Sequence, residues 1–531
     1  MTTPSTILAE ANAAPRVRHD APWVAAIALF ALFAAALVLA VTRTGPGLSP
    51  DSRAYLMSAR YMLQGKGISI LDGNGDLEPM THYAPLVSIL LAAGGVTGAD
   101  VTDVARVLNA LFFAASVVLA AAVVWRATRS RFAALAAAGL LALSFDLLRT
   151  FAMVWSEPPF IFLMLLGILL LGTYIDRRRY AWLIVGAISI GLAFAARYSG
   201  AALVASCAVA LLMHSGGTWR RRFGDTIVFG LIASLPMALW VARNWLLTEN
   251  AANREISFHP PTIADLRRAV DTVVHWLVPV ESGERWAVGI AVVVILVIYA
   301  IARKGLAPAT SRSTAGGGER RARANGEIVL LVWFIPTYLA FLLVSLTWVD
   351  AHTRLDFRIL SPLHAVGLIL AAAWLGPMQV MRGEPLRSAA AVVLIVLLSS
   401  QGVRAAAAPF RGTVDLGYSD RIWVESETLA WIRSLPPDTV IYTNMVDAVY
   451  FGADRFSTSV PRLRNPLTRK RMPNYEHHLE GMLFRLRTRG GYIVFFKRHR
   501  PYLASEEKLV ADLNLQQVFQ GTDGNAYRLP D

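Results

Sequence analysis

Long apolar runs constrain the fold of this chain more than any other feature of its sequence. Three of them are Trp23–Val41, Val107–Trp125 and Pro158–Ile175. A helix needs about 17–25 apolar residues to cross a hydrocarbon core that is about 30 Å thick. Hydrophobic residues make up 55% of the 531 residues, whereas soluble domains have roughly 45–50%. The sequence therefore predicts an integral membrane protein with several transmembrane helices.

Arginine-rich short loops orient the predicted helices. If the N-terminal tail 1–22 is cytoplasmic and is followed by an uncleaved signal anchor, the loops 126–131, 177–179 and 220–222 all fall on the cytoplasmic side. This is what the positive-inside rule expects, and it accounts for the net charge of +14 without a nucleic-acid partner. We predict about 11 spans: 23–41, 104–125, 132–150, 158–175, 181–196, 199–213, 226–242, 287–302, 328–347, 359–376 and 388–403.

The same topology predicts two domains in a plasma-membrane protein. A transmembrane domain, 23–403, carries two long extracytoplasmic loops, 42–103 and 243–286. Residues 404–531 change to mixed strand-like and helical patterns, which predicts a small extracytoplasmic α/β domain. The apolar segment 85–95 is about eleven residues long, which favours an interfacial or re-entrant helix over a span.

Charged residues gather near the predicted extracytoplasmic ends of the spans, although they are scattered through the sequence. Carboxylates, arginines and a histidine at one membrane face are typical of a site that handles an anionic substrate. The centres of the predicted spans contain almost no ionisable residue, which counts against an ion-coupled transporter. The residues at this face are Asp51, Arg53, His82, Asp146, Arg149, Glu157, Arg197, Arg243, Asp356 and Arg358.

Five short segments in this region resemble motifs of the GT-C glycosyltransferases, polytopic enzymes that use polyprenyl-phosphate sugars. The resemblance covers roughly residues 20–370 and is to the branch of the protein O-mannosyltransferases and the lipid A aminoarabinose transferases. Each motif is short, but their order and their shared membrane face make the combination specific. The segments are Ser49–Tyr55, Thr81–Leu86, Trp155–Pro158, Ala196–Gly200 and Asp356–Pro362.

The resemblance implies a GT-C-like fold and an inverting glycosyl transfer to an extracytoplasmic acceptor hydroxyl. Asp51 would be the general base, since a carboxylate within hydrogen-bond reach accepts the proton of the attacking hydroxyl. Glu157 would orient the acceptor or hold Asp51. Both acids also have a plain structural interpretation: Asp51 in a turn, and Glu157 at a helix start that has proline in its first turn.

The resemblance also implies that Arg197, Arg243 and Arg358 bind the phosphate of the donor, because guanidinium groups pair bidentately with phosphate. Lipid-headgroup contact is the alternative for these arginines. His82, Tyr83 and Tyr198 would bind substrate in the same cavity.

Two positions depart from the family pattern. The aminoarabinose transferases have lysine where this chain has Ala84. The protein O-mannosyltransferases have a second acid where it has Ser52.

This mechanism requires no cofactor, and a divalent metal stays an open alternative. The run Asp72–Asp76 does not continue as a calcium loop, and His477 and His478 have no evident partner ligand, so we predict no metal site.

The expected partners are a polyprenyl-phosphate-linked sugar, an acceptor that is a lipid, a glycan or a protein, and membrane lipids. A transporter or flippase of lipid-linked sugars and a non-catalytic binding protein remain the alternative functions. The sequence leaves the sugar, the carrier length and the oligomeric state open.

Overall fold

The computed structural model describes residues 21–73, 75–251, 256–277, 325–350, 353–375, 401–465, 470–498 and 500–530. The predicted span 287–302 and most of the predicted span 388–403 lie outside the described residues. The helices of the N-terminal part are α1 (Ala21–Val41), α2 (Pro50–Leu63), α3 (Leu86–Gly95), α4 (Val101–Thr128), α5 (Arg131–Ala142), α6 (Phe145–Ala152), α7 (Glu157–Arg177), α8 (Tyr180–Ala196), α9 (Gly200–His214), α10 (Trp219–Thr248), α11 (Ile263–Leu277), α12 (Gly326–Trp348) and α13 (Ser361–Leu375).

Five of the described helices are long and apolar enough to cross a membrane: α1, α4, α7, α10 and α12. The bent pair of α5 and α6 brings the number to six. The shorter apolar helices α3, α8, α9 and α13 pack among them around one large core of buried side chains. A membrane architecture of apolar helices is thus confirmed, and the number of 11 spans stays a prediction.

The predicted span 132–150 is broken into two helices in the structure. Helices α5 and α6 meet at an angle of 55°. Ser144 has an extended backbone, and its side chain accepts the main-chain N–H of Leu147 at 3.3 Å. A serine N-cap of this kind starts a new helix, so the helical path changes direction at Ser144. Helix α6 carries Asp146 and Arg149 along this new direction.

The loop between α1 and α4 is a folded structure. Helix α2 is followed by an antiparallel pair, β1 (Ser69–Leu71) and β2 (Leu77–Pro79), and then by α3. Helix α3 has ten residues, about 15 Å at 1.5 Å per residue, which is too short to cross the hydrocarbon core.

The C-terminal region is a separate α/β unit, as predicted. Its sheet has the order β4-β3-β5-β7-β6, in which β3 runs parallel to β4 and β5 while β7 runs antiparallel to β5 and β6. Alternate residues of β5 enter two separate apolar clusters, so both faces of the sheet are covered. The elements are α14 (Arg421–Val424), α15 (Glu427–Ser434), β3 (Ile441–Thr443), α16 (Val446–Ala453), β4 (Thr458–Ser459), α17 (Tyr475–Arg489), β5 (Tyr492–Phe496), α18 (Glu506–Leu513), β6 (Gln516–Gln520) and β7 (Gly524–Arg528).

A short backbone pairing joins this unit to the membrane helices. The N–H of Leu48 donates to the carbonyl of Leu416 at 2.9 Å, and the N–H of Tyr418 donates to the carbonyl of Leu48 at 3.0 Å. Between them, Gly417 has a φ of +60°, and a Cβ at this position would collide with the Leu48 carbonyl oxygen. Only glycine allows both the left-handed backbone and this close approach.

The substitution Gly417→Ala should therefore loosen the C-terminal domain. Gly412→Ala is the matched control, because Gly412 also has a φ of +60° but has nothing within 4 Å of its virtual Cβ. Both variants carry the strain of a left-handed alanine, about 1–2 kcal/mol, and only Gly417→Ala adds the collision. We expect faster proteolytic release of the domain in Gly417→Ala than in Gly412→Ala. Equal release rates would show that the Leu48–Gly417 pairing does not hold the domain.

Candidate active site

The start of α2 places Asp51 beside the start of α7. Ser49 is the N-cap of α2, and its side chain forms a reciprocal capping box with Ser52. The indole N–H of Trp155 donates to Ser49 Oγ at 2.8 Å, and Ser52 Oγ donates to the Val154 carbonyl at 2.9 Å. These bonds fix the first turn of α2, which contains Asp51, against the segment that leads into Glu157. The positive end of the helix also favours a carboxylate there.

Arg358 bridges the two acids. Its Nη2 donates to Oδ2 of Asp51 at 2.5 Å, and its Nε donates to Oε1 of Glu157 at 2.7 Å. The side chain of Glu157 is 0% exposed, and Arg197 forms a second ion pair with the same Oε1 atom. The result is a row of alternating charges, Asp51–Arg358–Glu157–Arg197, built from four separate parts of the chain.

Local contacts orient Arg358, the central arginine of this row. Asp356 Oδ1 accepts the main-chain N–H groups of Arg358 and Ile359 at 3.1 and 3.2 Å, which forms a tight turn before α13. The guanidinium of Arg358 lies 4.3 Å from the centre of the Trp155 ring, a cation–π contact.

A second buried pair supports the same turn from α6. The guanidinium of Arg149 lies 3.8 Å from the centre of the ring of Phe357, the residue before Arg358. Asp146 is buried, and its Oδ1 lies 3.5 Å from Arg149 Nη1. The bend at Ser144 therefore serves the site, because it brings this pair under the turn that carries Arg358.

The positive charge of Arg358 favours the ionised form of the Asp51 carboxyl group. Burial by itself raises the pKa of Asp51, but the charge and hydrogen bond of Arg358 outweigh it, and the pKa lies below its ordinary value. Tyr83 donates its hydroxyl to Asp51 Oδ1 at 3.2 Å. Burial and the neighbouring Asp51 charge raise the pKa of Tyr83 well above its usual value, so this phenol stays a neutral donor. A carboxylate oxygen has more than one lone pair, so Asp51 still has room for a substrate hydroxyl.

Arg243 and Tyr198 lie beside the loop that carries Tyr83. Arg243 donates to the carbonyls of Met80 and Ile68 at 2.9 and 2.8 Å, and Tyr198 donates to the carbonyl of Thr81 at 3.1 Å. Both residues hold the 80–83 segment in these contacts, and the structure does not bring either of them into the charge row. Phosphate binding by Arg243 and substrate binding by Tyr198 stay predictions.

The ring of His82 lies 5.0 Å from the ring of Tyr83, and an electrostatic interaction with His82 also lowers the pKa of Asp51. Substrate binding by His82 also stays a prediction.

Sequence reasoning missed one contact from the C-terminal domain. Asp447 on α16 forms an ion pair with Arg53 at 2.7 Å, and Arg53 lies two residues after Asp51 on α2. Further along the same helix α2, Arg60 donates to the hydroxyl of Tyr450, which is also on α16, at 3.1 Å. No local pattern marks Asp447, because its partner is almost 400 residues earlier in the chain. Trp155 belongs to the segment Trp155–Pro158 that resembles a family motif, but nothing in the sequence indicated that its ring would contact Arg358.

Among the residues that the structure describes, no group of three or more His, Cys, Asp or Glu side chains is arranged to hold a metal ion.

Comparison with known proteins finds one family match, over part of the chain. Residues 79–247 match the model of the dolichyl-phosphate-mannose-protein mannosyltransferase family, and this stretch includes Tyr83, Glu157, Arg197 and Arg243. The match confirms the resemblance predicted above to these glycosyltransferases. Comparison with the curated proteins finds no match.

Solved structures show the same fold at low identity. ArnT from Cupriavidus metallidurans, bound to undecaprenyl phosphate, aligns with a TM-score of 0.56 and 14% identity over 96% of this chain and 98% of that chain. The Archaeoglobus fulgidus oligosaccharyltransferase in complex with Zn and sulfate aligns with a TM-score of 0.51 and 14% identity over 88% of this chain and 68% of that chain. The arabinofuranosyltransferase AftD from Mycobacteria aligns with a TM-score of 0.51 and 16% identity over 95% of this chain and 41% of that chain. The chain is thus an integral membrane protein with the GT-C fold.

Loss of Arg358 should destabilise the site in a pH-dependent way. In Arg358→Gln, Asp51 and Glu157 lose a shared cation. Breaking a fully buried pair costs about 3–5 kcal/mol, and we expect roughly 2 kcal/mol because Arg358 and Asp51 are partly exposed. An aspartate with a depressed pKa adds stability above its unfolded pKa of about 3.9, and this contribution is lost as the pH falls through the folded pKa. The variant should therefore differ from wild type most at pH 7 and least at about pH 2.5, because the contribution of Asp51 is lost only below its ordinary pKa.

Thermal unfolding in detergent at both pH values measures this difference. Arg354→Gln is the control, because Arg354 is exposed in the same loop. A penalty for Arg358→Gln that does not shrink at low pH would contradict the electrostatic role.

Proposed function

We propose that this protein is an inverting glycosyltransferase that moves a sugar from a polyprenyl-phosphate carrier to an acceptor hydroxyl on the extracytoplasmic side of the membrane. The observation that carries the proposal is the ionised Asp51 carboxylate, held by Arg358 and Tyr83 beside a second acid and a second arginine. The undecaprenyl phosphate bound to ArnT, whose fold this chain shares along nearly its whole length, supports the choice of donor.

Asp51 acts as the general base in this proposal. Its carboxylate accepts the proton of the acceptor hydroxyl while the hydroxyl oxygen attacks the anomeric carbon of the donor sugar. The bond between that carbon and the phosphate oxygen breaks on the opposite face, and the lipid phosphate leaves with the bonding electrons. One direct displacement inverts the anomeric configuration.

Arg358 couples the proton transfer to the departure of the phosphate. A guanidinium has five N–H donors, and the bonds to Asp51 and Glu157 use Nη2 and Nε. When Asp51 takes up the proton, its negative charge disappears. Only Glu157 then balances the positive charge of Arg358 within these two bonds. The leaving phosphate gains negative charge at the same moment, so its attraction to Arg358 is greatest in the transition state. Arg197 contributes a second cation on the other side of Glu157.

Glu157 has a supporting role. Its side chain is fully buried and receives two arginines, which makes it a poor acceptor for a further proton but a strong anchor. It keeps Arg358 and Arg197 in reach of the same phosphate. Arg243 and Tyr198 hold the 80–83 segment through its carbonyls, and this segment places Tyr83 on Asp51.

The isoprenoid part of the donor would approach the site beside a small crevice of about 20 Å³. This crevice, between α3, α4 and α7, reaches Trp155, the residue on which Arg358 stacks. Its other walls are mostly apolar and include Leu90, Leu108 and Phe112, and Asn109 is a polar side chain among them. A phosphate at Arg358 would therefore have its lipid chain directed between membrane helices.

The variant Asp51→Asn tests the base directly. Asparagine has nearly the same shape but cannot accept the proton as a strong base. We expect transfer to fall by about 10²–10⁴-fold, the usual contribution of general base catalysis. Purified protein in detergent is incubated with membrane extract that supplies donors and acceptors, and mass spectrometry measures the glycosylated products.

Asp76→Asn is the matched control, because it makes the same substitution at an exposed position of the same loop. Product formation by wild type and Asp76→Asn, but not by folded Asp51→Asn, supports the mechanism. Equal product from Asp51→Asn and wild type would rule out Asp51 as the base.

A further inference from the structure

A polar cavity outside the charge row is lined in part by the 43–48 segment. Its volume is about 480 Å³, within the range of small-ligand sites. Its walls come from the end of α1, the first turns of α4 and the C-terminal domain. The lining includes Arg43, Arg106, Arg433, Asp103, Tyr418 and Trp423.

The charges of this cavity favour an anionic ligand. Three arginines and one aspartate line it, which leaves two positive charges. Arg106 donates from Nε to Thr42 Oγ1 at 3.4 Å and from Nη1 to Asp103 at 3.3 Å, so its guanidinium is held at the cavity wall. Guanidinium groups recognise phosphate through several N–H donors at once.

The membrane helices beneath the cavity present a lipid-facing track. Leu32 and Leu39 are seven residues apart on α1, which places them on the same helical face, and Arg43 lies two residues beyond the end of this helix. On α4, Val107 and Leu111 follow Asp103 at a four-residue spacing.

All four apolar side chains are between 40% and 66% exposed. In a bilayer they would contact acyl chains, directly below the arginines at the level of the headgroups.

Aromatic side chains complete the cavity at its upper edge. Tyr418 and Trp423 lie 5.3 Å apart between ring centres, and both belong to the C-terminal domain. Tyrosine and tryptophan are enriched where a membrane meets water, because their rings combine apolar and polar surface. The cavity therefore joins a cationic headgroup site to an acyl-chain track and an aromatic rim.

We propose that this cavity binds the phosphate headgroup of an anionic phospholipid, which bridges α1 and α4 to the C-terminal domain. Arg43 and Arg106 contact the phosphate from the membrane helices, and Arg433 contacts it from α15. The acyl chains lie along Leu39 and Val107. The lipid is a structural ligand, separate from the donor and the acceptor of the proposed reaction.

The bridge has a structural consequence for α2. Phe451 and Gly452 on α16 line the cavity, and the same helix carries Asp447, the partner of Arg53. A lipid that holds α16 against the membrane helices also holds the Asp447–Arg53 pair, two residues from Asp51.

Native mass spectrometry of the full chain in detergent tests the proposal. Phosphatidylglycerol and phosphatidylcholine with the same acyl chains are titrated into wild type, into the double variant Arg106→Gln/Arg433→Gln and into Arg528→Gln. Arg528 is an exposed arginine of the C-terminal sheet that does not line the cavity. We expect wild type and Arg528→Gln to bind phosphatidylglycerol about tenfold more tightly than phosphatidylcholine, a difference of about 1.4 kcal/mol in binding free energy. The double variant should lose this preference.

Three results would overturn the proposal. Wild type could bind both lipids equally, or the double variant could keep the full preference. In the third result, excess inorganic phosphate would displace bound phosphatidylglycerol as effectively as an excess of the lipid does. This would assign the site to a soluble phosphate. Arg43→Gln is a second variant for the case in which the double variant does not fold, because Arg43 is exposed beyond the end of α1.

Discussion

The fully buried carboxylate of Glu157 is the constraint on which the rest of the site depends. A buried charge without a partner costs several kcal/mol, so the fold has to bring cations to the start of α7. Arg197 arrives from the end of α8 and Arg358 from the turn before α13. Arg358 then needs a second anion, which is Asp51 at the start of α2. One electrostatic requirement thus fixes the relative positions of four helix ends.

Sequence reasoning could predict which residues meet at this face, because topology decides it. Apolar length and arginine-rich loops assign an end to each span, and Asp51, Glu157, Arg197 and Arg358 then fall on one side. The α/β nature of the C-terminal domain also followed from its local patterns. The sequence did not give the bounds of its strands, such as β3 at Ile441–Thr443, since the ends of short strands depend on their partners.

Other features depend on contacts that no local pattern carries. The break at Ser144 lies within an apolar run, and a serine in such a run is not distinctive until its capping bond is seen. The pairing of Asp447 with Arg53 depends on how two domains dock. Phosphate binding by Arg243 stays a prediction, and the sequence did not indicate that its N–H groups donate to the carbonyls of Met80 and Ile68. Topology places a residue on a face, and helix packing decides what it touches there.

The long separation of Asp51 from its arginine has a consequence for biogenesis. The two residues are 307 positions apart, and synthesis at 5–20 residues per second needs roughly 15–60 s to cover that distance. Glu157 meets Arg197 much sooner, when α8 has been inserted. The membrane helices that precede α13 are therefore inserted while Asp51 still lacks this cationic partner. The charge row becomes complete only when the turn before α13 leaves the translocation machinery, so a truncated chain would insert its helices and still lack this site.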